Sequence, residues 1–167
     1  YPEKVCVVSA ILTKATISKF YTSKYKTLNV NYKFMSKKIG LFWLRNDFRI
    51  TKNDGLYEAT RNHDEVVVFY LYKESAYQKQ EAQKWWLNKS LLNFKKKLSD
   101  LNINLEIIKT NSYKTFFDTL FIKKNFSIYW NKVYEPDYLK FDEYLLKNLK
   151  YNDISFKICK GNILNEI

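Results

Sequence analysis

Two short stretches collect the polar side chains that could do chemistry. Arg45, Asp47 and Arg49 follow the apolar run Ile39 to Leu44, and Glu135, Asp137 and Tyr138 surround a proline at the head of a later segment. Charged groups at the end of a strand can hold the polar edge of a ligand. They can equally fix the loop itself, with Asp47 pairing with an arginine or receiving turn amides that need an acceptor. Glu135 and Asp137 would also complement the positive end of a helix dipole, at about 0.3–1 kcal/mol each. The remaining chemistry-bearing residues are scattered. His63, the single histidine, has no partner motif and reads as a surface turn residue. Gly40, Gly55 and Gly161 are isolated, so a dinucleotide fingerprint is absent. Cys6 and Cys159 match no metal-ligand or redox spacing and read as free thiols in a reducing compartment, with Cys159 a small buried apolar group.

The elements that must position these groups alternate. Ile39 to Leu44 (IGLFWL) is a continuous apolar run, as in a strand covered on both faces. Asn53 or Asp54 can cap a helix reaching about Arg61. Glu65 to Tyr72 (EVVVFYLY) is a strand, and Gln80 to Leu101 a long helix whose Leu87, Leu91, Phe94, Leu98 and Leu101 form one stripe. Asn104 to Lys109, Ser127 to Asn131 and Ser155 to Lys160 are further strands. Helices at Ser112 to Lys124 and Pro136 to Leu149 fall between them, the latter with proline in its first turn. Five strands separated by four helices predict an α/β fold: a five-stranded, parallel, doubly wound Rossmann-like sheet with helices on both faces. Ligands in such sheets sit outside the carboxyl ends of the strands where strand order reverses, here after Leu44 and after Asn131.

Composition sets bounds on the whole. With 167 residues and 46% apolar content the chain can bury one sizeable core. The net charge of +12 is uneven: residues 1 to 38 hold eight lysines and one acid, leaving +5 for the rest. The lysine excess therefore reads mainly as solvated surface. Residues 1 to 34 have no sustained period and are set apart as a basic extension, either upstream sequence translated in frame, an organelle-targeting segment, or an ordered extension. The longest apolar run, Val5 to Leu12 broken by Ser9, is far short of the ~20 residues of a membrane helix.

The string Trp43-Leu-Arg-Asn-Asp-Phe-Arg49, with Asn53 and Leu56 after it, resembles the opening of the DNA photolyase/cryptochrome family. Leu87, Ser90, Leu91 and Leu98 match that family's long helix. Asn131-Lys-Val-Tyr-Glu-Pro136 is similar to its Asn-x-x-Tyr-Glu-Pro turn, and Asp142 stands where its following helix often carries an acid. The resemblance covers Ile39 to about Ile163 and implies an amino-terminal antenna-type domain. FAD, damaged DNA and the electron-transfer tryptophans would belong to a helical domain beyond Ile167. By the same resemblance, the full-length protein would be a deoxyribodipyrimidine photolyase using blue light to split pyrimidine dimers, and this domain alone would be inactive. The alternatives are a cryptochrome photoreceptor and a stand-alone nucleotide-binding domain. The family also implies a folate or deazaflavin antenna, with Arg45, Asp47, Glu135, Asp137 and Tyr138 as its pocket. Aligned through Tyr134 and Glu135, however, Asp137 and Tyr138 stand where folate-binding relatives carry Asn and Glu. Asp accepts but cannot donate, and Tyr is no carboxylate. Trp43, Trp85, Trp86 and Trp130 are expected as core or half-buried packing. A monomer inside the cell, cytoplasmic unless residues 1 to 34 target it, completes the expectation.

Overall fold

Short apolar strands and helices alternate strictly in the computed structural model, which describes residues 39–73, 75, 81–123 and 125–161. The order is β1 (Ile39–Leu44), α1 (Asp54–Asn62), β2 (Val66–Tyr72), α2 (Glu81–Ser99), β3 (Asn104–Lys109), α3 (Tyr113–Phe121), β4 (Phe126–Asn131), α4 (Pro136–Tyr151) and β5 (Ser155–Cys159). The strands form one parallel sheet in the order β3-β2-β1-β4-β5. Strand order therefore reverses between β1 and β4, where Trp43 stands beside Trp130. The expected doubly wound α/β sheet is the observed one. The basic extension at residues 1 to 34 lies outside the described residues.

Period-two alternation sorts the strand side chains into two cores. Phe42, Leu44, Val68, Tyr70 and Tyr129 meet Leu56 and Ala59 of α1 and Leu91, Phe94 and Leu98 of α2. Trp43, Phe69, Leu71, Ile128 and Trp130 meet Phe117 and Phe121 of α3 and Leu145 and Leu149 of α4. Every residue of β4 is buried, as befits a strand with helices over both faces.

The helix ends follow local rules. Asn53 Oδ1 accepts from Leu56 N at 3.1 Å and starts α1. α2 and α4 stop in the same way, with Asn102 (φ 57°) and Asp153 (φ 54°) in the left-handed region. Ile103 N then donates to Leu98 O at 2.9 Å and Ile154 N to Leu149 O at 3.0 Å, a Schellman closure that tucks each isoleucine against its core.

Three sequence expectations need correction. Trp85 and Trp86 are not core or half-buried packing; they are 59% and 68% exposed. Both stand roughly 120–140° round the helix from Leu91, off the stripe that touches the sheet. Leu101 was expected in that stripe but is 52% exposed, because α2 ends at Ser99 and the closing turn swings it out. His63 is not a plain surface residue. It is half-buried, its Nε2 is 3.0 Å from Tyr129 Oη, and its ring lies against Gly40, where a Cβ would come within 2.9 Å. Among the described residues no helix is long and apolar enough to cross a membrane.

Cys159 is buried near the end of β5, and burial pushes its thiol from 9.0 to about 11, with Lys157 opposing. A folded pKa above the unfolded value means that this group's contribution to stability is complete below the unfolded pKa. It is lost as pH rises through about 11. At pH 8 the folded thiol should hold roughly 100-fold less thiolate than the unfolded one. Alkylation of the Cys159 peptide, followed by mass spectrometry, is expected to be slower by about that factor than in urea. Equal rates would show that the strand end is open.

Candidate functional site at the strand-order switch

The loop leaving β1 and the turn leaving β4 meet where the topology reverses, and their side chains interlock. Arg45 is 4% exposed although it carries a full charge. Its guanidinium lies 4.0 Å from the Trp43 ring centroid, 4.9 Å from Tyr138 and 5.8 Å from Trp130. Arg45 Nη1 donates to Asp142 Oδ2 at 3.2 Å and Nη2 donates to Asp142 Oδ1, so the pair is bidentate. Asp142 is itself buried, one turn along α4 from Tyr138. Tyr138, Asp142, Leu145 and Leu149 form one row on α4 facing the sheet. A carboxylate in an apolar row must find a cation; the sequence set Asp142 apart only by its place in the resemblance, and the fold supplies Arg45 as its partner.

Asp47 has a different partner. Its carboxylate accepts from Arg49 Nε and Nη2 at 2.7 Å each, and from Arg49 N at 3.2 Å. The second arginine of the motif thus folds back on the loop acid and fixes the strand end. Asn131, the last residue of β4, ties this loop to α1. Its Oδ1 accepts from Gly55 N at 2.9 Å, and its Nδ2 donates to Asn53 Oδ1 at 2.9 Å and to Asp47 Oδ2 at 3.4 Å. The amide at the head of α1 is the group that a bound phosphate would use in a nucleotide-binding sheet. Here a side-chain carbonyl already occupies it. Asn131 falls within the Asn-x-x-Tyr-Glu-Pro turn, but nothing local in the sequence says that its side chain reaches a residue 76 positions away.

Gly55 is required by that closure. A Cβ on it would lie 2.5 Å from Asn131 Oδ1 and 2.6 Å from Phe42 Cε2. Gly55→Ala is therefore expected to destabilise the domain by about 1–3 kcal/mol, the usual cost of overpacking. Urea unfolding measures it, and a neutral result would show that the Asn131 contact yields freely.

The other expected pocket residues are less gathered. Glu135 is exposed and accepts from Asn46 Nδ2 at 3.2 Å; it precedes α4 without a side-chain cap bond. Asp137 is exposed in the first turn of α4. Tyr138 is half-buried between Arg45 and Tyr113, its ring stacked on Tyr113 at 6.3 Å. Burial, reinforced by Tyr113, pushes its hydroxyl well above the ordinary tyrosine range, with Arg45 opposing. The crevice between Trp43, Arg45, Asp47, Asn131 and Lys132 encloses about 20 Å³. That is room for roughly one water, against the ~300 Å³ or more that encloses a ring-sized ligand. A chromophore ring does not fit inside it. No cluster of three potential metal ligands occurs among the described residues.

A family profile for DNA photolyase matches residues 40–167. The chain belongs to the DNA photolyase family. Among curated relatives, the deoxyribodipyrimidine photo-lyase of Agrobacterium fabrum is 25% identical over 126 residues, covering 75% of this chain and 26% of the relative. The enzyme of the same name from Buchnera aphidicola is 26% identical over 134 residues, covering 75% of this chain and 28% of the relative. Two photolyases share the fold: a bacterial class III photolyase from Agrobacterium tumefaciens (TM-score 0.67, 21% identity, 83% of this chain and 29% of that one), and an archaeal photolyase from Sulfolobus tokodaii solved with two FAD molecules (TM-score 0.66, 23% identity, 77% and 30%). The chain thus spans less than a third of the length of these photolyases. It is similar to their amino-terminal α/β domain.

Proposed function

We propose that residues 35 to 167 are the antenna-type α/β domain of a blue-light-dependent DNA photolyase acting on pyrimidine dimers, with residues 1 to 34 an extension outside it. FAD, damaged-DNA contacts and electron transfer belong, on this reading, to a helical domain of the same protein. The observation that carries the reading is the family match along residues 40–167, on a sheet whose β1 and β4 ends hold the matched motifs together. A stand-alone nucleotide binder fits less well, because Asn131 fills the head of α1. No observation favours a cryptochrome over a photolyase.

The closed crevice shapes the antenna proposal. A folate or deazaflavin ring does not fit inside the crevice at the strand-order switch, and a flavin such as the FAD described for the Sulfolobus tokodaii protein, of the same ring size as a deazaflavin, meets the same obstacle there. The reading leaves Glu135 and Asp137 as exposed polar groups on the rim, while Arg45, Asp47 and Tyr138 serve structure. Titrating a folate or deazaflavin into this chain is expected to give no saturable absorbance shift at micromolar concentration.

The 167-residue chain under blue light is expected to leave a dimer-bearing oligonucleotide intact. The product of the whole gene, loaded with FAD, is expected to split it. Repair by the chain alone would overturn the division of labour, and a reading frame that stops at codon 167 would overturn the reading itself. An intracellular, monomeric protein accompanies this proposal.

A further inference from the structure

The outward side of α2 is unlike an ordinary solvated helix face. Leu91, Phe94 and Leu98 point to the sheet, with Leu87 half-buried beside them. On the opposite side Trp85, Lys89, Leu92 and Lys96 recur at spacings of four, three and four and make one row, with Trp86 on its flank. Trp85, Trp86 and Leu92 are all more than half exposed. Lys89 Nζ lies 5.7 Å from the Trp85 ring centroid. The helix carries lysines at 84, 89, 95, 96 and 97 against the single acid Glu81, and neither Lys89 nor Lys96 is ion-paired among the described residues.

We propose that this face binds single-stranded nucleic acid, with bases stacking on Trp85 and Trp86 and phosphates neutralised by Lys89 and Lys96. Interleaved indoles and ammonium groups on one surface are what a strand with unstacked bases and a charged backbone requires. A helix rise of 1.5 Å per residue separates Lys89 from Lys96 by roughly 10 Å, with Leu92 between them. Other occupants match less well. A second copy would set one lysine row against another. A membrane-surface helix places its apolar and basic residues on opposite faces, whereas here they share a face and the apolar stripe is committed to the sheet. Protein interface cores are depleted of lysine. In a duplex the bases stack on each other and offer the indoles no face. The surface is separate from the strand-order switch, since α2 packs over β2 and β3.

The test uses the full 167-residue chain, a fluorescein-labelled oligothymidylate and its abasic counterpart, read by anisotropy and tryptophan emission. Binding is expected to quench emission from the two exposed indoles. The Trp85→Ala/Trp86→Ala variant should bind about tenfold more weakly or worse, with its salt dependence unchanged. Lys89→Glu/Lys96→Glu should lower the salt slope by about 1.4. Wild type should bind the abasic strand as weakly as the tryptophan variant binds the normal one. This contrast needs no variant to fold. Equal affinity for the two strands, or unchanged affinity in the tryptophan variant, would overturn the proposal and leave only diffuse attraction to a basic chain. Binding to phosphatidylserine vesicles that is lost in the tryptophan variant, with no oligonucleotide binding, would overturn it in favour of a lipid surface.

Discussion

Replacing Asp142 by alanine is expected to destabilise the domain by about 3–5 kcal/mol, because it leaves the Arg45 guanidinium charged, buried and unpaired. Arginine does not deprotonate, so the fold must either hydrate it by opening or bear the desolvation. A typical domain has only about 5–15 kcal/mol to lose. The drop should appear in urea unfolding and lower the Tm by more than about 10 °C. The converse experiment separates the value of the pair from the penalty of breaking it. Arg45→Met with Asp142→Leu removes both charges at similar volume, and Arg45 Nε already lacks an acceptor among the described residues. The double variant is therefore expected to be within about 1 kcal/mol of wild type or more stable, as for other buried pairs replaced by apolar groups. A loss below about 1 kcal/mol in Asp142→Ala would show that the stack is hydrated in solution.

The role of that pair was only partly visible in the residues, for physical reasons. Strands such as Ile39–Leu44 and Val66–Tyr72 announce themselves because a parallel strand between two helix layers must be apolar throughout. Asn53 and Pro136 mark helix starts by chemistry that acts within one turn. The sheet and its reversal point were legible on those grounds. Pairings across the sheet were not. Arg45 meets Asp142 97 residues on, and Asn131 meets Gly55 76 residues back, because the crossovers from β1 to β4 bring the two strand ends side by side. The five residues expected around a ligand divide accordingly. Arg45 and Tyr138 are in contact, Asp47 holds Arg49, Glu135 accepts from Asn46, and Asp137 faces solvent. Residue type alone also misjudged Trp85 and Trp86, since an indole is apolar enough to suggest a core whichever side of a helix it occupies. Helical phase, and not hydrophobicity, puts them outside.

Trp43→Ala should test whether the switch point is held chiefly by charge or by packing. Trp43 is 2% exposed, and its ring meets Phe117 at 4.9 Å, Tyr113 at 5.7 Å and Phe141 at 5.8 Å, with the Arg45 guanidinium 4.0 Å from its centroid. Truncation removes a large apolar surface and leaves a cavity that three elements cannot close together, so a loss of about 3–5 kcal/mol is expected. Trp85→Ala, the same change on an exposed helix face, should stay within about 0.5 kcal/mol. The contrast matters because both residues lie in segments that resemble the family, and only burial distinguishes them. Trp43 also covers the ion pair, so its loss admits water to Arg45 and weakens the penalty of removing Asp142. The two changes should combine to less than their sum by about 0.5–3 kcal/mol. Full additivity in urea unfolding would mean that the indole contributes only its own buried area and that Arg45 is kept dry by Tyr138 and Trp130 alone.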